Sequence, residues 1–116
     1  MYIKKAEKDH AKKNKKLKEV KIASPYTTEK VKNLQSMFQG CTALETVSLS
    51  VNAQAVPASA FEGCIKLDNI VIPTSVKTIG DKAFKDCSSL SSFVTTSVTN
   101  IGSNAFENCT FESASS

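Results

Sequence analysis

Four cysteines are the residues of this chain with the most specific chemistry: Cys41, Cys64, Cys87 and Cys109. Zinc normally takes ligands in close pairs such as C-x2-C, whereas these thiols are 22 or 23 residues apart, and His10 lies in a lysine-rich stretch before them. A disulfide needs Cα atoms about 5–6 Å apart with suitable torsions, which parallel columns rarely provide. We therefore expect buried free thiols that act as small apolar residues, with zinc binding and disulfide pairing as alternatives.

A catalytic role for these residues has little support. A nucleophilic cysteine needs a nearby base, and the single histidine lies outside the repeated part of the chain. The four glycines are scattered, so no glycine-rich phosphate loop is present in the sequence. We predict that the chain is not an enzyme and expect no catalytic residue, metal or cofactor. The acidic residues of the repeated region are interpreted as solvated surface charge: Glu45, Glu62, Asp68, Asp81, Asp86 and Glu107.

The cysteines belong to a longer repeated frame. "FEGCIKL" at residues 61–67 returns as "FKDCSSL" at residues 84–90, and the frame also appears as "FQGCTAL" and "FENCTFE". A period of 22 to 23 residues is typical of a solenoid, in which each repeat stacks on the next. We predict that the fixed residues form buried columns: Phe38, Phe61, Phe84 and Phe106; Cys41, Cys64, Cys87 and Cys109; and Leu44, Leu67 and Leu90.

Two walls of each coil are indicated by apolar spacing. The leucines of the frame are followed by alternating positions: Val47 and Leu49, Ile70 and Ile72, and Phe93 and Thr95. This period of two predicts a short strand with one buried face, which we call the first wall. A second apolar pair predicts an opposite, second wall: Val76 with Ile79, and Val98 with Ile101. The predicted fold is a β-rich repeat solenoid with short helical turns, of about four repeats.

The turns between the walls carry their own signals. Pro73 is expected to end a strand, where no further ladder donor is needed. Gly80 and Gly102 are expected to supply a positive φ. A small residue precedes each phenylalanine and suits a tight helical turn: Ala60, Ala83 and Ala105.

The two ends of the repeated region are polar. "LKEVKI" at residues 17–22 has the strand spacing of a degenerate first coil, with Val31 and Leu34 as its second wall. We divide the chain into a lysine-rich cap or lead-in at residues 1–16 and a solenoid with a polar C-terminal cap at residues 17–116. Stacks need capped ends, because an open end exposes the apolar interior and unpaired strand edges.

Charge is concentrated at one end of the chain. Residues 1–32 hold 11 lysines against four acids, a net +7, whereas the remaining residues hold four lysines against seven acids, a net −3. All basic residues are lysines, so the bidentate fork of arginine is missing, and contact with a polyanion through this cluster is expected to be weak and without sequence preference. The sequence contains neither an apolar run of the roughly 18 residues that would span a membrane nor an export signal.

The segment "IPTSVKTIGDKAFKDCSSL" resembles the BspA-like, or treponemal-type, leucine-rich repeat, with units of roughly the form I-P-x-S-V-x-x-I-G-x-x-A-F-x-x-C-x-x-L. The match is close over residues 64–109 and covers about residues 17–110. The resemblance implies a right-handed leucine-rich-repeat solenoid. Family members are commonly surface or secreted proteins of mucosal bacteria and some protozoan parasites, so the resemblance implies an extracellular or cell-surface location and adhesion, while a cytoplasmic location stays open.

Two surfaces are candidates for binding a protein or glycan. The first wall presents these outward positions: Glu45, Thr46, Ser48, Asp68, Asn69, Val71, Ser91, Ser92 and Val94. The second wall presents Thr74, Lys77, Thr78, Thr96, Thr99 and Asn100, and the sequence does not choose between the walls. The leading hypothesis is a non-catalytic, adhesin-type interaction module that binds through a wall. The alternative is an intracellular scaffold or polyanion-binding protein that uses the N-terminal lysines, and end-to-end self-association is compatible with both.

Overall fold

The computed structural model describes residues 2–3, 14–22, 35–49, 53–91 and 97–110. Within these ranges the chain forms short strands and turns and contains no helix. The strands are β1 (Tyr2–Ile3), β2 (Glu19–Ile22), β3 (Thr46–Ser48), β4 (Ala55–Val56), β5 (Asn69–Val71), β6 (Thr78–Ile79) and β7 (Asn100–Ile101).

The strands form two parallel sheets, in the orders β1-β2-β3-β5 and β4-β6-β7. From β3 to β6 the chain passes alternately through the two sheets, so each circuit adds one strand to each. The first sheet is the first wall of the predicted solenoid and the second sheet is its second wall. The chain is therefore a coil whose successive circuits lie side by side.

The register of the sheets follows the repeat. Val47 pairs with Ile70, 23 residues further along, and Ile79 pairs with Ile101, 22 residues further along. Val20 pairs with Val47, which is 27 residues further along, so the circuit after β2 is four residues longer. Because a parallel ladder fixes which residues lie opposite one another, equivalent positions of successive coils are stacked directly.

The core lies between the two walls and beneath the turns. Its largest fully buried side chains are Phe38, Phe61, Phe84, Met37, Leu44, Leu67, Ile79, Leu90 and Val20. Every buried side-chain nitrogen and oxygen among the described residues has a hydrogen-bond partner, so burial does not leave unsatisfied polar groups there. The predicted second-wall residues of the first coil, Val31 and Leu34, lie outside the described residues, as do Phe93 and Thr95.

The segments before and after each phenylalanine are chained β-turns, so the prediction of short helical turns is wrong for the described turns. In residues 35–44, the N–H of Gln39 donates to the carbonyl of Ser36, that of Cys41 to Phe38 and that of Leu44 to Cys41. Ser36 has a φ of 63° and Gly40 a φ of 77°. These left-handed residues, two before and two after Phe38, interrupt any helical run, because a right-handed helix requires negative φ throughout.

The same two left-handed positions recur in each described coil. Two residues before the phenylalanine they are Ser36, Ser59, Lys82 and Asn104, and two residues after it they are Gly40, Gly63, Asp86 and Asn108. Glycine, asparagine and aspartate adopt this region more readily than other residues, whereas serine and lysine show no preference for it. The sequence therefore gives no signal at three of the eight positions, Ser36, Ser59 and Lys82.

The prediction of positive φ at Gly80 and Gly102 is wrong, because neither glycine lies in that region. A Cβ built on Gly80 would lie 2.5 Å from the nitrogen and 2.8 Å from the Cα of Ala58. A Cβ on Gly102 would lie 2.5 Å from the nitrogen of Asp81. Both glycines are required by the close approach of the neighbouring coil's backbone, which leaves no room for a side chain.

Around the first three phenylalanines, backbone N–H groups donate to the next coil. The N–H of Phe38 donates to the carbonyl of Ala60 at 2.9 Å, the N–H of Phe61 to that of Ala83 at 2.8 Å, and the N–H of Phe84 to that of Ala105 at 2.8 Å. The two left-handed residues of each of these three turns donate in the same direction. Within residues 36–40, 59–63 and 82–86, every second N–H therefore bonds to a carbonyl of the following coil.

Candidate binding surface

The phenylalanines form a continuous stack through the turns. The ring centroids of Phe38 and Phe61 are 5.7 Å apart with an interplanar angle of 8°, and those of Phe61 and Phe84 are 5.4 Å apart at 11°. Phe106 continues the stack at 5.4 Å and 5°. Near-parallel rings at this separation are in the range of favourable offset stacking. The three leucines of the frame, Leu44, Leu67 and Leu90, are fully buried beside them.

None of the four cysteines, all of which lie in the described residues, forms a disulfide. The thiol of Cys64 donates to the carbonyl of Phe38 at 3.3 Å, that of Cys87 to Phe61 at 3.1 Å, and that of Cys109 to Phe84 at 3.2 Å. Each of these three thiols therefore joins its coil to the coil before it. We expected the cysteines only to fill space as small apolar residues, and their role as donors is not visible in the repeated Phe-x-x-Cys spacing.

Burial raises the pKa values of the thiols. The pKa of Cys64 is raised from 9.0 to about 12 by desolvation and then by the neighbouring Cys41. The pKa of Cys109, which is half-buried, is raised to about 11 by desolvation. Desolvation also raises the pKa of Cys87. A nucleophilic or metal-binding cysteine needs a lowered pKa, so the environment of these thiols favours the protonated, hydrogen-bonded form.

The acidic residues of the turns link successive coils. Asp81 Oδ1 accepts a hydrogen bond from the N–H of Ser103 at 2.9 Å, and Asp86 Oδ1 accepts one from Asn108 Nδ2 at 2.7 Å. Lys85 Nζ lies 3.5 Å from Glu107 Oε1. Glu62 Oε1 accepts from Gln39 Nε2 at 3.4 Å. In the described part of the chain, no group of three or more histidine, cysteine or acidic side chains could hold a metal ion; His10 lies outside it.

The first wall carries two outward rows of side chains in register. Glu19, Thr46 and Asn69 lie opposite one another, as do Lys21, Ser48 and Val71. Among the predicted residues of this wall, Glu45, Asp68, Asn69, Val71 and Ser91 are exposed, and Thr46 and Ser48 are half-buried. Ser92 and Val94 lie outside the described residues.

Three hydroxyl groups of the second wall donate hydrogen bonds to the preceding coil. Ser75 Oγ donates to the carbonyl of Ala53 at 2.5 Å, Ser97 Oγ to that of Val76 at 2.9 Å, and Thr99 Oγ1 to that of Lys77 at 3.2 Å. Of its predicted outward residues, Thr74, Lys77, Thr99 and Asn100 are exposed and Thr78 is half-buried, whereas Thr96 lies outside the described residues. Ala55, in its first described strand, is buried.

Both walls carry polar side chains without a hydrogen bond to another described residue. On the first wall these are Thr46, Ser48 and Asn69, and on the second wall they are Thr74, Thr78 and Asn100. The first wall differs by an outward apolar residue: Val71, in the edge strand β5 of the described sheet, is 58% exposed. The hydroxyl and amide groups beside it can donate hydrogen bonds to a partner or accept them from it.

Residues 8–115 match the family model described as the BspA type leucine rich repeat region, in six copies. The chain belongs to this family. The recognition made from the repeat motif is confirmed, and so is the leucine-rich-repeat type of fold. Members of the leucine-rich-repeat class are generally protein-interaction modules without catalytic activity.

Solved leucine-rich repeat proteins of bacteria resemble the BspA-type chain in structure. The leucine-rich repeat protein TpLRR of T. pallidum is 26% identical, with a TM-score of 0.61 over 79% of this chain and 55% of that one. A leucine-rich repeat protein from Bacteroides ovatus ATCC 8483 is 27% identical, with a TM-score of 0.60 over 80% and 29% of the two chains. One from Eubacterium ventriosum ATCC 27560 is 28% identical, with a TM-score of 0.57 over 84% and 32%.

The chain thus spans about half of the T. pallidum protein and about a third or less of the other two. Among curated proteins, no sequence matches it significantly. In the described part of the BspA-type chain, no helix has the length and apolarity that crossing a membrane requires.

Proposed function

We propose that the chain is a non-catalytic protein-binding module whose binding surface is the first wall. The observation that carries this proposal is Val71, an outward apolar side chain on the first wall that is 58% exposed and lies in register with Ser48. Thr46, Ser48 and Asn69 beside it form no side-chain hydrogen bond to another described residue. A parallel ladder lines these groups up at about 4.8 Å intervals across the strands. Such a face suits an extended partner that contacts several coils.

A panel of purified extracellular proteins and glycans, screened by biolayer interferometry, tests the first wall. Val71→Asp replaces the exposed apolar side chain of this wall by an uncompensated charge and is expected to weaken binding by about tenfold or more, since a loss of 1.4 kcal/mol has that effect. Lys77→Asp, an exposed change on the second wall, is the matched control and is expected to leave binding unchanged. Loss of binding by the control alone would assign the interaction to the second wall instead.

We further propose a location outside the cell or on its surface, because BspA-type leucine-rich repeat proteins are often surface-associated. Protease treatment of intact source cells, followed by an antibody to the repeats, tests this location. Digestion of the antigen on intact cells supports an adhesin-type role. Protection until lysis excludes adhesion and leaves a protein-binding scaffold inside the cell.

A second candidate function is binding of polyanions through lysines. Lys15, Lys16, Lys18 and Lys21 are all exposed around β2. Binding of heparin should weaken steeply between low and moderate salt and be lost in the triple variant Lys15→Gln, Lys16→Gln and Lys18→Gln. This variant keeps β1 paired with β2, which a deletion of residues 1–16 would remove. If heparin still binds at moderate salt and in the triple variant, the lysine cluster is excluded as the binding site.

We also propose a right-handed coil of about four full repeats. Parallel strands of one sheet joined by a crossover are right-handed in about 98% of cases, and the connection from β3 to β5 through β4 is such a crossover. A crystal structure of the chain tests the handedness directly.

A further inference from the structure

The C-terminal end of the described stack exposes side chains that are buried in the preceding coils. Ile101 is 48% exposed, although it pairs with Ile79, which is fully buried, as is Val56 on the other side of Ile79. Phe106 and Cys109 are half-buried, whereas their equivalents in the preceding coil are completely buried. We call the surface formed by Val98, Ile101, Phe106 and Cys109 the open end.

The open end continues the same columns that join one coil to the next. Phe106 stacks on Phe84 at 5.4 Å through one face of its ring, and Cys109 bonds to the coil before it. The contact that buries Ile79 is made by Ile101 of the following coil. A partner that covers the open end therefore needs the features of a coil of this repeat, presented in the same direction along the stack.

The direction of the turn hydrogen bonds distinguishes the two ends. In every described turn, an N–H of the earlier coil donates to a carbonyl of the later one, as from Lys82 to Ser103 at 3.0 Å and from Asp86 to Glu107 at 2.8 Å. Two C-terminal ends facing each other would both offer the donor side of this pattern. A C-terminal end facing an N-terminal end continues it, which favours head-to-tail over tail-to-tail contact.

Charge favours the same arrangement. Residues 1–16 contain seven lysines and two acids, a net charge of +5, whereas residues 97–116 contain two acids and no lysine, a net charge of −2. At the N-terminal end, β1 is the outermost described strand of the first wall. Opposite charges at the two ends attract in head-to-tail contact, and like charges oppose contact between two N-terminal ends.

We propose that the open end binds the N-terminal end of a second copy of this chain, so that the copies stack head to tail. The contact is heterologous, so it leaves a free end on each side and permits assemblies longer than a dimer.

Sedimentation velocity of the 116-residue chain at increasing concentration tests the proposal. The weight-average mass is expected to rise from the 12.5 kDa of the monomer past that of a dimer without reaching a plateau, and to fall as salt is added. Ile101→Lys places a charge in the contact and is expected to weaken association by about tenfold or more. Ile65→Lys is the matched control, because Ile65 is 45% exposed, close to the 48% of Ile101, but belongs to a coil with a described neighbour on both sides; it should associate like the unmodified chain.

Three outcomes overturn the proposal. A mass that stays at the monomer value at all concentrations excludes self-association, and one that stops at the dimer excludes an open head-to-tail contact. Equal association of the Ile101→Lys and Ile65→Lys variants excludes the open end as the contact surface. If circular dichroism shows that Ile101→Lys is unfolded, Ile101→Ser gives the same comparison without an added charge. If the full chain is monomeric but associates once residues 111–116 are deleted, the open end is covered by the chain's own C-terminal segment and not by a second copy.

Discussion

At the scale of single residues, the phenylalanine stack concentrates stability in a few side chains. Phe84 is completely buried and has a ring on each side, at 5.4 Å in both directions. Phe84→Ala is expected to destabilise the fold by about 3–5 kcal/mol through lost burial and the cavity left behind. Total stability for a domain of this size is roughly 6–17 kcal/mol, so thermal unfolding followed by circular dichroism should show a large fall in Tm.

Two further variants serve as comparisons for the fall in Tm. Phe106→Ala removes a half-buried ring with one described neighbour and is expected to lower Tm less than Phe84→Ala. Lys85→Ala removes only an ion pair with the exposed Glu107, worth about 0.2–1 kcal/mol. Equal Tm values for Phe84→Ala and Lys85→Ala would contradict the stacked column.

The raised pKa values of the thiols predict a loss of stability at alkaline pH. In the unfolded chain the thiols ionise near 9.0, whereas the pKa of Cys64 in the folded chain is about 12. Above the unfolded value only the unfolded state releases its protons, so the stability present below pH 9 is lost progressively as pH rises toward the folded pKa. Tm measured between about pH 8 and about pH 11 should fall less in Cys64→Ser, which has no ionisable thiol. The same decline in both proteins would exclude this thiol as a cause.

At the scale of the turn, glycines act in two different ways that substitution separates. Gly80→Ala would bring a Cβ within 3 Å of three backbone atoms of Pro57 and Ala58, and is expected to destabilise by about 1–3 kcal/mol or more. Gly63→Asn, at a φ of 80°, is expected to change stability little, because Asp86 and Asn108 occupy the equivalent positions of later coils. Chemical denaturation gives the free energy of unfolding of the two variants. If Gly63→Asn were less stable than Gly80→Ala, the left-handed backbone at Gly63 would be the stricter requirement for glycine, contrary to our expectation.

The sequence predicts the buried columns of the turns but not their backbone conformation. The frame of Phe, Cys and Leu at 22 to 23 residues is visible in the sequence because each column accepts one size of side chain. The prediction at Gly80 fails because the sequence shows a glycine without showing whether φ or space requires it. The prediction of a helical turn is wrong because Ser59 and Lys82 are both left-handed, and neither residue type indicates that conformation in the sequence.

Only part of the candidate binding surface could be predicted from the sequence. The alternation of apolar and polar residues predicted that Ser48 and Val71 lie on the outward face, but it does not show which hydroxyl groups bond to the neighbouring coil. Ser97, for example, donates to the carbonyl of Val76, 21 residues away, and the sequence does not identify that partner. The thiol-to-carbonyl bonds of the cysteines were missed for the same reason.

At the scale of the whole molecule, stability should decline toward the ends of the stack. Interior coils have a neighbour on both sides, whereas residues 97–110 have one described neighbour. In stacked repeats the contact between neighbours supplies much of the stability. Native-state hydrogen exchange is expected to be at least about tenfold slower at the N–H groups of Phe61 and Phe84 than at those of Thr99 and Gly102. Uniform protection along the stack would instead indicate a single cooperative unit.

The hydrogen bonds around the phenylalanines also give the turns an electrical axis. In the peptide Ala60–Phe61, the carbonyl faces the preceding coil and the N–H faces the following one, and the peptide before Phe84 is oriented in the same way. The dipoles of these peptides therefore add along the stack, with the positive pole toward the C-terminal end and the negative pole toward the N-terminal end. In the sequence, residues 1–16 carry a net charge of +5 and residues 97–116 a net charge of −2. The charge asymmetry of the sequence is thus opposite in sign to the polarity of the turns.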